Sequence, residues 1–244
     1  MTPEEARSFV GDIARITAEG AIPPTGDPTL ASFIVAHGLF RGLLRLSQAA
    51  LGLCANGYAQ ESVVLRRSVL EYSTCLIWVS EERQAAVDAL NATHSYERQR
   101  LTKVMLRAPD GWAEDVLAAA QGVDLAEVAK ASGTHLVGMT GRLKAKGLDG
   151  LEAMWNADSR IAHPSITAVR HFYEELPDGA VNLLSDPPTQ DDTAEATAMV
   201  VTVGLFNGAS AFNGLMPGEP WTSGLNALAQ SHGYKLQAVV DPGQ

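Results

Sequence analysis

The sequence predicts an all-α protein, a single-domain helical bundle with short decorating helices. Three observations carry that reading. Apolar residues recur at helical spacing along most of the chain, and strand-like alternation is scarce. Clusters of Pro, Gly and Asn punctuate the periodic stretches. A length of 244 residues with 46 % hydrophobic residues is enough to bury a core and too apolar for general disorder.

Each element follows from local pattern. Residues 3–18 suit a short amphipathic helix, and "AIPPTGDPT" (21–29) is a turn-rich connection because its prolines fix φ and remove donors. From Leu30 a long helix runs to about Leu53, with Phe33, Phe40, Leu44 and Ala50 on or near one stripe. Asn56-Gly57 supplies a C-cap and turn. The next helix runs from about Ala59 to Val79, and a third covers about 82–106, ending at the break of Pro109 and Gly111. Asp110 is positioned to cap a shorter helix through about 121, followed by short helices at 124–131 and 135–146 joined by Ser132-Gly133. Another helix spans about 149–163. Residues 175–192 read as a loop with a short extended piece at Val181 to Leu184. A helix over about 193–215 is broken by "PGEP", and a last one covers about 221–232. No internal repeat or low-complexity linker interrupts the chain, so residues 1–244 are expected to form one domain with its core bundle at about 30–216.

The formal charge of −10 gives no general attraction to nucleic acid or to an anionic membrane. RNA binding would need a local basic patch, and no Lys/Arg run provides one. "MTPEEARSFVGDIARI" is acidic early and lacks the apolar stretch of a secretory signal. The most membrane-like segment, 194–216, contains Glu195, Asn207 and Asn213 and reads as a core helix. A cytoplasmic location without membrane association is therefore expected. Cys54 and Cys75 lie in apolar helical surroundings and read as buried free thiols, with a disulfide or a reactive thiol as the alternative. No P-loop, GxGxxG, CxxC or HExxH pattern is present, so no cofactor is expected.

The stretch "LRRSVLEYSTCLIWV" (65–79) places charges in an apolar helix. Arg67, Glu71, Thr74 and Trp78 share one face; Arg66, Leu70, Ser73 and Ile77 share the next. A helix apolar nearly all round is normally buried, so Arg66, Arg67 and Glu71 are expected to reach inward. Unpaired burial of charge costs several kcal/mol, and Arg67 and Glu71, one turn apart, can pair. That pair is either internal glue or part of a polar pocket facing a ligand.

In "WNADSRIAHPS" (155–165), Trp155, Ser159 and His163 recur every four residues on one face. Pro164 disfavours helical geometry at His163, so the helix ends or kinks there. An imidazole at that position is either a cap or an acid–base group. Buried polar groups need partners, so helices 59–79 and 149–163 are expected to pack together and bring Glu71 near His163.

These motifs, "LRRSVLEY" with a downstream W…S…HPS, resemble an uncharacterised family of bacterial helical proteins, a domain of unknown function. The resemblance runs over roughly residues 30–175 and falls on Arg67, Ser68 and Glu71, then on Trp155 (where tyrosine is more usual), Ser159, His163 and Pro164. That family in turn is loosely similar to the HEPN helical bundles of toxin–antitoxin and phage-defence systems. HEPN ribonucleases use an Arg and a His four to six residues apart on one helix; here Arg160 and His163 are three apart.

Two further constellations stand out. His94 and Glu97 share a helix face and, with Glu61 or Glu71, could hold a metal, but the second Glu-x-x-His copy of a diiron bundle is missing, so no metal is expected. His37 and Arg41 are one turn apart on an apolar helix and could face the Arg67–Glu71 region. The resemblance implies a HEPN-like defence or stress protein, as one option a metal-independent nuclease. Together with the reading of the residues it makes Glu71, His163, Ser159 and Arg67 catalytic candidates, and the residues themselves add Arg66, His37, Trp155 and Arg160 as binding candidates. RNA or a small molecule would be its ligand, and a homodimer is a further option. The alternatives are a small-molecule enzyme or binding bundle with an apolar pocket, and a non-catalytic interaction protein whose motifs hold the helices together.

Overall fold

The computed structural model describes residues 1–18, 20–21, 23, 30–105, 134–163, 165, 169–184 and 191–233. Among these residues eight α-helices form: α1 (Pro3–Ile16), α2 (Leu30–Ala55), α3 (Ala59–Glu82), α4 (Gln84–Met105), α5 (Met139–Ala145), α6 (Asp149–Ala162), α7 (Asp191–Asn213) and α8 (Thr222–Ser231). The fold is all-α, as the periodicity predicts. The expected helices at 110–121 and 124–131 lie outside the described residues, as does most of the 21–29 connection.

Helix α1 starts at a reciprocal cap. The Glu5 amide donates to Thr2 Oγ1 at 3.2 Å, and the Thr2 amide donates to Glu5 Oε2 at 2.7 Å. The Thr2 backbone bond holds the Glu5 carboxyl below its ordinary range. Ala6, Phe9, Val10 and Ile13 form the buried stripe of α1. The α2–α3 turn falls at Asn56-Gly57: the Asn56 side chain donates to the Gly52 carbonyl at 2.7 Å, and Gly57 takes φ +84°, a conformation that favours glycine.

Helices α2, α3 and α7 pack on one another in a three-cornered core, with α1 lying across α2 and α7. Ala198, Val201, Leu205, Ala209 and Phe212 of α7 are all fully buried, which is why the apolar 194–216 segment is a core helix. On length and composition α2 is also apolar enough to cross a membrane, yet 39 % of that stretch is buried within the bundle. Small residues set the spacing. A Cβ on Gly204 would lie 3.1 Å from Val69, and one on Gly208 only 2.4 Å from Leu43 Cδ2. Ser73 uses the resulting closeness to donate to the Gly204 carbonyl at 2.9 Å.

The other flank of α3 carries α5 and α6. The helix expected at 135–146 is divided into a 3₁₀ turn, Thr134–Leu136, and α5. Beyond α6, Tyr173–Glu175 pairs antiparallel with Val181–Leu183, Tyr173 opposite Leu183. The second strand matches the extended piece expected at Val181 to Leu184. The first was unexpected, because "YEE" shows no apolar alternation.

Gly208→Ala should destabilise the bundle by about 1–3 kcal/mol, since Leu43 is itself fully buried and has no room to yield. Gly38→Ala, on the exposed face of α2 and facing open space, should stabilise by about 0.5–1 kcal/mol through helix propensity. Urea unfolding of both variants checks the pair; a Gly208→Ala midpoint at or above wild type would contradict the packing.

Candidate functional site

Helices α3 and α6 do pack together, and two layers of polar contact join them. The deeper layer centres on Arg66, 7 % exposed, and Asp158, 2 % exposed. Arg66 Nε donates to Asp158 Oδ2 at 2.9 Å, and its Nη2 donates to Oδ1, a bidentate fork that satisfies both charges. Arg66 Nη1 reaches Thr197 Oγ1 of α7 at 3.5 Å. Thr197 Oγ1 lies 3.0 Å from Ser62 Oγ, which donates to the Ala59 carbonyl at 2.6 Å. Because the Ser62 proton is used there, Thr197 is the donor between the two hydroxyls. Cys54 Sγ of α2 donates to Ser62 Oγ at 3.3 Å. One buried chain of polar contacts thus touches α6, α3, α7 and α2.

The outer layer holds the expected Arg67–Glu71 pair, with Arg67 Nη2 3.3 Å from Glu71 Oε1. Trp155 Nε1 donates to the same oxygen at 2.8 Å, and the Arg67 guanidinium carbon sits 4.7 Å from the centre of the Trp155 ring. Glu71 therefore has two partners, one on each helix. Its side chain is 35 % exposed and that of Arg67 24 %, so this pair is shallower than its apolar helix implies. The fully buried ion pair is the neighbouring one at Arg66.

Downstream on α6 the motif residues separate. Ser159 Oγ donates to the Trp155 carbonyl at 2.8 Å, bonding back onto its own helix. His163 is the C-cap, extended at φ −109° and ψ 150° and exposed, as the Pro164 argument predicts; Pro164 itself lies outside the described residues. Arg160 is exposed on the last turn. Glu71 meets Trp155 while Arg66 meets Asp158, so the two helices run antiparallel and His163 lies about 12 Å along α6 beyond Trp155. The expected approach of Glu71 to His163 does not occur. His37 is exposed, with its ring 5.9 Å from that of Phe212, and faces α7 rather than the Arg67–Glu71 pair.

A second buried cation went unnoticed in the sequence. Arg142 of α5 is 7 % exposed. Its Nε donates to Thr74 Oγ1 at 3.2 Å, Nη1 to the carbonyls of Leu136 at 3.1 Å and Val137 at 2.5 Å, and Nη2 to the Glu71 carbonyl at 3.3 Å. Gly141 makes this cradle possible: a Cβ there would lie 1.9 Å from the His135 carbonyl oxygen. Burial pushes the Arg142 guanidinium down, opposed by Cys75 and Glu71. Burial likewise pushes the Cys75 thiol up, opposed by Arg142. Cys54 and Cys75 are both free and buried.

Among the described residues no three His, Cys, Asp or Glu side chains gather as a metal site. His94 is exposed, and the Glu97 side chain lies outside the described residues.

The sequence matches a family described as of unknown function, DUF5677, over residues 33–180, close to the span of 30–175 on which the resemblance rested. No curated protein and no solved structure matches it.

Asp158→Ala leaves the Arg66 charge buried and unpaired and should cost about 3–5 kcal/mol, whereas Glu71→Ala, at a half-exposed pair, should cost only about 1–2 kcal/mol. Denaturant melts rank the two; equal losses would mean that the two layers carry the same load. The raised Cys75 thiol contributes stability that is complete below the ordinary thiol range and is lost as pH rises through it. Cys75 in native protein at pH 8 should resist an alkylating reagent and react fully on unfolding, a contrast mass spectrometry would read directly.

Proposed function

The chain belongs to DUF5677, a family of unknown function, and from that premise we propose that it acts by binding, with its signature polar residues serving as an internal clamp rather than as catalysts. One observation carries this reading: most of the polar atoms of those residues are engaged with one another, although among the described residues Arg67 Nε is buried without a partner. Arg66 is spent on Asp158, Glu71 on Arg67 and Trp155, and Ser159 on its own helix. A catalytic carboxylate or hydroxyl must be presented to a substrate, and a general base needs a reachable proton. Arg66 and Ser159 point at protein, and Glu71, about a third exposed, holds both of its partners through one carboxylate oxygen. The interaction-protein alternative thus gains most from the geometry.

The HEPN-like nuclease reading keeps one supporting observation. His163 and Arg160 are both exposed on the last turn of α6, where an imidazole can act as acid or base and a guanidinium can stabilise phosphate charge. The two readings separate in a single assay. Under the clamp reading, full-length protein leaves a structured RNA intact in the absence of metal, and His163→Ala, at an exposed helix end, changes neither that result nor the melting curve by more than about 0.3–2 kcal/mol. RNA cleavage abolished by His163→Ala would establish the nuclease and sink the clamp as the whole function.

A further inference from the structure

A cavity of about 390 Å³ lies between the end of α1, the middle of α2 and the α7–α8 junction, and none of the motif residues of α3 lines it. One wall is cationic. His37, Arg41, Arg45 and Gln48 follow 4, 4, 3 spacing and line it from a single face of α2. The other wall is apolar, with Phe40, Leu44 and Trp221 among its residues. Among the described residues no acidic side chain lines it.

The arginines are not spent elsewhere. Both are exposed, and no ion pair of the described residues includes Arg41 or Arg45. The C-terminal turn of α1, at Thr17, presents about half a negative charge to the cleft, which two guanidiniums outweigh. Two unpaired cations on one rim stand out in a chain of net charge −10. Like charges one helical turn apart repel, so their placement is unfavourable until an anion comes between them.

We propose that this cleft binds a compact organic phosphate of about the size of a nucleoside diphosphate. The backbones of Arg41 and Arg45 are about 6 Å apart along the helix axis, and their flexible stems let the heads converge on neighbouring phosphoryl groups. Each guanidinium presents a planar fork that matches phosphate oxygens. His37 and Gln48 flank them as further donors. Phe40, Leu44 and Trp221 are nearly closed to solvent, so the ligand is held chiefly through its phosphoryl groups, and the volume falls within the range of roughly 300–1,000 Å³ usual for small-molecule sites. The acidic net charge selects against a long polyanion, which would extend beyond the cationic rim. This site shares no residue with the clamp and stands or falls independently of it.

Isothermal titration of full-length protein tests the assignment with four probes: ADP, inorganic pyrophosphate, adenosine and a single-stranded oligonucleotide. ADP and pyrophosphate should bind, and adenosine should be far weaker. The double variant Arg41→Gln/Arg45→Gln, altered only at exposed positions, should weaken ADP by about tenfold or more with an unchanged melting curve. Ala18→Trp, on the exposed rim, should block ADP by filling the cleft without altering charge. The proposal is overturned if neither ADP nor pyrophosphate binds at millimolar concentration, if the double variant or Ala18→Trp binds ADP as well as wild type, or if adenosine equals ADP. Tighter binding of the oligonucleotide through the same arginines would also overturn it, in favour of a polymer site.

Discussion

The contact between Arg66 and Asp158 decides how half of this molecule is held. Asp158 is the one buried residue of α6, and Leu151, Met154 and Trp155 pack half-buried against the core around it, so that helix is fastened by a charge as well as by an apolar stripe. Fork geometry makes the fastening specific. A shift of α6 by one residue rotates Asp158 about 100° away from its partner and strands two ions out of water. Through Thr197, Ser62 and Cys54 the same chain of contacts runs on into α7 and α2. Polar satisfaction thus sets the register of α6 against the bundle, and apolar packing then fills the space around it.

The two flanks of α3 follow different physics. Toward α2 and α7 it offers Val69, Ser73 and Leu76, and glycines opposite let the backbones close in. Toward α5 and α6 it offers Arg66, Arg67, Glu71 and Thr74, each engaged by a group from a later helix. Arg142 completes that flank by binding carbonyls left over at the end of a 3₁₀ turn. A helix apolar nearly all round can carry three charges because each faces an element that arrives with its complement.

Much of this was legible in the sequence. Helical periodicity and the Asn56-Gly57 turn located α2 and α3, and the i, i+4 spacing identified the Arg67–Glu71 pair. Trp155, a binding candidate in the sequence, joins these residues through its indole N–H, which donates to Glu71. Asp158 was missed because its partner lies 92 residues away and spacing along a helix reports only local neighbours. The signal that could have found it was an unpaired arginine on a buried face, which requires a carboxylate somewhere. Arg142 gave no signal at all, because its partners are main-chain carbonyls, which every residue carries. The cleft on α2 was half visible as His37 and Arg41, with Phe40 between them; Phe212 and Trp221 come from a segment too distant in sequence to associate with them.

Helix α7 fills the middle of the bundle yet comes late in the chain, after more than a hundred residues that follow α3. On a ribosome adding roughly 5–20 residues per second, the hairpin of α2 and α3 therefore emerges on the order of ten seconds before the helix that covers it. During that interval the faces of Leu43, Val69 and Leu76 that α7 will bury are open to water and to other nascent chains. Closure also demands a long loop, which slows folding relative to a bundle of sequential neighbours. A fragment cut before residue 191 would leave those faces without the helix that covers them.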